Sequence, residues 1–176
     1  MIAGVVSFDG IAPDVLAAAS IRGTRVHGWT EWFDEDEHPD SMPSMDGIEG
    51  YCEAYVEFLS DSGFVCKSKE QVVVSKRYRY AGTYDRFGML DGRPTVLDIK
   101  CVAAMSSATG MQTAGYALAL SPIASHQEFD RVAIRLRPDG KYRLHRYTDP
   151  QDYHNWLACV RITHWKLAHG MAQLEN

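Results

Sequence analysis

A chain of 176 residues has room for one domain with a sizeable core and little more. Apolar residues make up 45% and charged ones 23%, ordinary for a globular protein, and no apolar run approaches the roughly 18 residues that cross a membrane. The net charge of −5 averages two unlike parts, 13 acids against 2 arginines up to Asp61 and 10 acids against 16 lysines and arginines beyond it, which fits either one face turned to a polyanion or two plainly solvated faces.

The first residues, from Met1 to Asp9, lack the basic start of a signal peptide, so a cytoplasmic location is expected. Pro13 and Asp14 open a short alanine-rich helix, residues 15–20. A further helix begins near Thr24 as its cap, with Val26, Trp29, Trp32 and Phe33 at amphipathic spacing and His27 one turn before Glu31. The acidic stretch from Asp34 to Ser44, with Pro39 and Pro43, reads as a loop. Asp46 caps the next helix, whose Ile48, Tyr51, Cys52, Tyr55, Val56 and Leu59 keep helical spacing until Gly63 ends it. Tyr51 and Tyr55 read as packing residues, because Glu49, Glu53 and Glu57 beside them repel phosphate. Cys52, Cys66, Cys101 and Cys159 show no metal or redox spacing and read as reduced thiols.

Residues 64–75, with Val72, Val73 and Val74, form a strand that carries Glu70. Residues 80–100 are two strand-like runs joined through Asp91-Gly92, a β-hairpin signal. Asp98 and Lys100 are two apart and share a face of the second strand, while Ile99 points into the core. If Asp85 meets them across the hairpin, two carboxylates crowd a small volume, which is repulsive unless a proton or cation lies between them. Oxygen ligands with room for water and phosphate suit Mg²⁺ or Mn²⁺. A lysine beside the metal stabilises charge on phosphate or helps to position and deprotonate an attacking water, the outline of a phosphodiesterase site. Taken alone, Asp-x-Lys also fits an ordinary exposed ion pair.

A small-residue loop, 101–110, follows, then a helix over about 108–120 with Gln112 and Tyr116 one turn apart, closed by Pro122. Residues 129–137 and 142–147 make a second hairpin about Asp139-Gly140. Its arginines, among them Arg135 and Arg143, either bind phosphate or solvate the sheet edge. The last helix, capped by Asp149 with Pro150 at its first position, packs Tyr153, Trp156, Leu157, Val160 and Trp165 inward. The order implies an α/β fold with one mixed sheet.

His27 after Arg22-Gly23-Thr24, Glu70 on one strand, Gly82-Thr83-Tyr84-Asp85 on the next, Asp98-Ile99-Lys100 on the third and Gln112 with Tyr116 on the following helix stand in a fixed order. From about residue 21 to 170 this set resembles the RecB-like and phage-exonuclease branch of the PD-(D/E)XK nuclease superfamily. The resemblance implies a restriction-endonuclease-like core, a central mixed β-sheet flanked by helices, in a single domain spanning 1–176. Within it an acidic helical part (1–62) precedes a catalytic α/β core (63–170). It implies metal binding by Asp85, Asp98, Glu70, His27 and the carbonyl of Ile99, with one or two Mg²⁺ or Mn²⁺ ions. Lys100 takes the role of the catalytic lysine, and Gln112 and Tyr116 orient it and contact DNA, with Arg86 a further DNA contact.

The activity implied is exonucleolytic hydrolysis of DNA by a metal-activated water, leaving 5′-phosphates, in phage-type recombination or DNA processing. A structure-selective endonuclease and a non-catalytic DNA-binding scaffold are the competing readings. The iron-sulfur relatives need a downstream cysteine trio, and only Cys159 lies in that region, so no cluster is expected. Expected partners are DNA, a single-strand-binding or annealing protein, and further copies of the chain, with no membrane.

Overall fold

The computed structural model describes residues 12–35, 41–121 and 128–171. The chain start read for a targeting signal, Pro39 and Pro122 lie outside the described residues. The first helix, α1, runs unbroken over Pro13–Phe33, where two helices were expected. Proline at its first turn sets a helical φ, and Gly23, which costs about 1 kcal/mol inside a helix, is outweighed by burial of Val26, Trp29 and Thr30 further along. Thr24 is therefore an interior position. Helix α2 spans Glu49–Ser62 and buries Cys52, Ala54, Tyr55 and Phe58. Its N-cap is Ile48, two residues beyond the expected Asp46, whose N–H instead donates to Ser44 Oγ at 3.3 Å. Gly63 ends the helix with φ 62°, the left-handed conformation that returns its N–H to the Leu59 carbonyl.

Five strands follow: β1 (Val65–Ser75), β2 (Tyr80–Leu90), β3 (Arg93–Lys100), β4 (Asp130–Leu136) and β5 (Tyr142–Arg146). The β2–β3 turn has positive φ at both Asp91 (52°) and Gly92 (74°), the type I′ geometry that matches the twist of the flanking strands. Strand order is β1-β2-β3-β4-β5, antiparallel except for β3 and β4, which are parallel. Parallel neighbours need a crossover, and α3 (Ala108–Leu120) supplies it. Helix α4 (Gln151–Ala168) closes the described chain; its N-cap is Pro150, and Asp149 still accepts the N–H of Gln151 at 2.8 Å.

Alternation along the strands sends one set of side chains to each face. Leu97, Ile99, Val132, Ile134 and Leu136 pack against Val26, Trp29, Tyr55 and Phe58 of α1 and α2. Val96 and Tyr80 pack against Ala114, Leu118, Tyr153, Trp156 and Val160 of α3 and α4. The result is an α/β fold whose central mixed sheet has helices on both faces. Trp165, expected inside, is 53% exposed, because five residues past Val160 lies well off the stripe of Tyr153, Trp156 and Val160. Among the described residues no helix is long and apolar enough to cross a membrane.

Candidate functional site

The ladder between β2 and β3 stops at the Arg86–Leu97 pair, while β3 continues beside β4 as far as Lys100–Arg135. Beyond that point Asp85 replaces the missing backbone pairing, its Oδ2 accepting the N–H of Ile99 at 2.6 Å. The two strands part here and open a notch at the end of β3.

On β1, Glu70 stands opposite Asp85, between the Lys69–Arg86 and Gln71–Tyr84 pairs, with φ 45°. Tyr80 and Phe87, an odd number of residues apart, both lie on the α3 side, so the pleat slips once within this stretch. A left-handed glutamate costs of order 1–3 kcal/mol, and such strain gathers at functional sites. Here it lets Glu70 reach His27 of α1. His27 Nε2 lies 3.2 Å from the Ile99 carbonyl and Nδ1 lies 3.4 Å from Glu70 Oε1 and 3.8 Å from Asp85 Oδ1. Both nitrogens donate when the ring is protonated. Burial lowers the pKa of His27, but Glu70, Asp85 and Asp98 outweigh it, and the net shift is upward.

Asp98 is fully buried, and its Oδ1 accepts from Lys100 Nζ at 2.9 Å. Its Oδ2 is 2.8 Å from the same ammonium yet outside hydrogen-bonding angle, so among the described residues it accepts no hydrogen bond. Burial, and then the charge of Asp98, push Asp85 up to about 7 against the pull of His27 and Lys100. Asp98 is raised by burial, with Lys100 opposing. Burial lowers Lys100, but Asp98 and Asp85 raise it further, so it stays an ammonium. For Glu70, burial pulls upward and His27 and Arg86 prevail, holding it below the usual carboxylate value.

Gln112 and Tyr116 meet on one face of α3, Nε2 donating to the phenolic oxygen at 2.9 Å. Burial first, with the charges of Asp98 and Asp85, pushes Tyr116 up to about 12, so it remains a neutral phenol. The ring lies along Gly82, where a Cβ would approach its Cε1 to 3.0 Å.

Arg86 is corrected. A nucleic-acid contact was expected, yet the side chain is completely buried on the α1 side of the sheet. Its guanidinium donates to Asp34 Oδ2 at 2.6 Å, Glu70 Oε1 at 2.9 Å, the Asp85 carbonyl at 2.7 Å and Thr30 Oγ1 at 3.0 Å. Tyr55 also donates to Asp34 Oδ2, at 2.6 Å. Asp34, Thr30 and Tyr55 were missed as partners of the site. Asp34 follows His27 by seven residues, two helical turns along one face, which is the signal in the sequence that points to it. Helix α1, in the acidic helical part, delivers His27 to the notch formed by the strands.

His27, Glu70 and Asp85 offer ligand atoms within 4.8 Å of one another. With Asp98 Oδ2 accepting no hydrogen bond and two carboxyls whose pKa values burial raises, a strain that added positive charge relieves, the donor set fits a divalent cation. Carboxylate oxygens dominate it, which suits Mg²⁺ or Mn²⁺.

No family model matches the chain, and no curated protein matches it. Among solved structures it is similar to a protein of Eubacterium rectale named "Putative exonuclease", with a TM-score of 0.58 and 11% identity over 88% of this chain and 69% of that one. This likeness shows a shared fold, an α/β architecture with a mixed five-stranded sheet.

Proposed function

We propose that the chain is a Mg²⁺- or Mn²⁺-dependent deoxyribonuclease of the PD-(D/E)XK kind, and within it an exonuclease of the RecB-like and phage type. The observation that carries this is the meeting of His27, Glu70, Asp85, Asp98 and Lys100, from one helix and three strands, in a notch made by an interrupted ladder. The name of the Eubacterium rectale neighbour supports the exonuclease part of this reading alone.

His27, Glu70, Asp85, Asp98 and the Ile99 carbonyl would hold the ion, which when bound polarises a phosphoryl oxygen and lowers the pKa of a water. Lys100, anchored by Asp98 and with its side chain 25% exposed, presents a fixed positive charge to the phosphoryl group where negative charge develops. As an ammonium it stabilises charge and does not act as the base. Gln112 fixes the rotation of the Tyr116 hydroxyl, a neutral donor beside that charge. Arg86 and His27 hold Glu70 from two sides. Oxygen of water attacks phosphorus and gives up a proton to solvent, the P–O3′ bond breaks, and the 3′ oxygen takes up a proton from solvent, leaving a 5′-phosphate. No covalent step on the protein is required.

The test is a time course on end-labelled linear duplex, single-stranded and closed circular DNA with Mg²⁺, Mn²⁺ or EDTA. The expected result is metal-dependent loss of linear DNA with circles spared, reduced on the order of 10²-fold or more by Lys100→Ala and by Asp98→Ala. Cutting of circles would replace the exonuclease by a structure-selective endonuclease. DNA binding without cutting under any metal would replace both by a scaffold.

A further inference from the structure

The end of β3 carries more positive charge than Lys100 alone. In the parallel pairing Lys100 lies beside Arg135, and in the antiparallel pairing Arg135 lies directly opposite Arg143. Leu97, Ile99, Val132, Ile134 and Leu136 pack on the α1–α2 side, with Leu144 and Tyr142 against them, so by alternation all three cations stand on the other face, the one that bears Asp98. Three long cationic side chains thus form a row across three adjacent strands, roughly 10 Å from first to last at the usual strand spacing.

Like charges directly opposite one another on a sheet are destabilising. Most arginines on this sheet avoid the problem through acids: Arg86 with Asp34, Arg93 with Asp130, Arg131 with Asp152 and Arg146 with Asp91. Arg135 and Arg143 form no ion pair among the described residues. Arg135 donates through Nη1 to the Ala103 carbonyl at 2.8 Å, and its buried Nε has no acceptor there. His145, next on the same face of β5, is pushed down by burial and by Arg143 and Arg135, a sign of the local excess of positive charge.

We propose that Lys100, Arg135 and Arg143 form a phosphate track, along which the backbone of the DNA strand lies as it passes through the catalytic notch. The proposal rests on the nuclease reading and deepens it by giving the direction of the substrate across β4 and β5. A polyanion in the row converts the repulsion among its members into attraction for successive phosphates, and displaces their counterions. The same surface gives no contact to base edges, so the track carries affinity and not sequence preference.

The experiment measures binding of a labelled duplex and its single strand in EDTA by fluorescence anisotropy, across salt from about 50 to 200 mM. The native protein is compared with Arg143→Gln, with the Arg135→Gln/Arg143→Gln pair, and with Arg161→Gln, an exposed cation on α4 away from the row. Each arginine removed from the row is expected to lower the slope of log K against log salt by about 0.9 on duplex, or about 0.7 on single strand, and to weaken binding near 0.1 M salt about eightfold on duplex or about fivefold on single strand. Arg161→Gln should leave the slope unchanged. In low salt Arg143→Gln should melt no lower than the native protein, because it relieves a repulsion. A fall in its melting temperature, or native affinity and slope in the double variant while the native protein cuts DNA, overturns the track and leaves the nuclease standing. A native protein that neither binds nor cuts DNA overturns the nuclease reading itself.

Discussion

Arg86 shows how one buried cation organises several acids. Its side chain and that of Asp34 are almost wholly out of water, and the same guanidinium holds Glu70 and the backbone of Asp85. Removing one partner of a buried pair leaves the other charge uncompensated, at a cost of about 3–5 kcal/mol. Arg86→Met should therefore lose about that much in urea denaturation, and calorimetric titration with Mn²⁺ should show weaker binding through the freed Glu70, with partial recovery in Arg86→Lys. The acids also set a pH dependence. Asp85 titrates near 7 in the folded chain and near 3.9 when unfolded, so the stability it contributes is full below about pH 4 and is lost as pH rises through about 7. Asp98 and His27, also raised, act in the same direction; for His27 the contribution is full below its unfolded value near 6.5 and fades above it. The lowered Glu70 acts oppositely, but its contribution is lost only as pH falls through its folded value, below this window. Without metal, the melting temperature should fall between about pH 5.5 and 8, and Asp85→Asn should flatten that fall. Mg²⁺ or Mn²⁺ should raise it more at the upper end, since binding competes with protons. A profile unchanged by Asp85→Asn would mean that Asp85 is not the titrating group.

At the scale of elements, the contacts of α3 and α4 are tighter than those of α1 with its surroundings, and two glycines separate the cases. At Gly115 of α3 a Cβ would come within 2.4 Å of the Trp156 ring of α4, so Gly115→Ala forces the helices apart and should cost about 1–3 kcal/mol. At Gly23 of α1 nothing lies within 4 Å, and the position is interior to a continuous helix. Gly23→Ala should stabilise the protein by about 0.4–1 kcal/mol, mainly by reducing the freedom of the unfolded chain. Thermal melts of the two variants give opposite signs if α1 is a single helix. Equal losses would mean that α1 breaks near Thr24.

Across the whole molecule, the helices of the acidic half do not simply turn away from the reactive half. Helix α1 crosses the sheet from Cys101, where Arg22 donates to the carbonyl at 3.3 Å, to β1, where Lys69 donates to the Asp34 carbonyl at 2.9 Å, and it places His27 over Ile99 between them. Part of the negative charge is thus taken up within the chain, by the buried pair of Asp34 with Arg86 and the more exposed pair of Glu35 with Lys69. What remains for a polyanion is local: the notch and the row beside it. The proposed track predicts DNA binding that depends steeply on salt in a protein of net charge −5, because phosphates would meet only that face.

Periodicity and turn chemistry determined a good deal by themselves. Alternation in β3 put Asp98 and Lys100 on one face and Ile99 on the other; Asp91-Gly92 specified the hairpin; valine-rich and amphipathic runs gave the remaining elements in their observed order. These are local properties, set within a few residues of each position. The continuity of α1, the burial of Arg86 and the exposure of Trp165 depend on what packs opposite, which no short window contains. The partnership of Arg86 with Asp34 spans 52 residues of chain, and the row of Lys100, Arg135 and Arg143 exists only once α3 has brought β4 alongside β3. Residue types and their order came from the sequence; which charges are paired, which are buried and which stand in line was decided when the sheet closed.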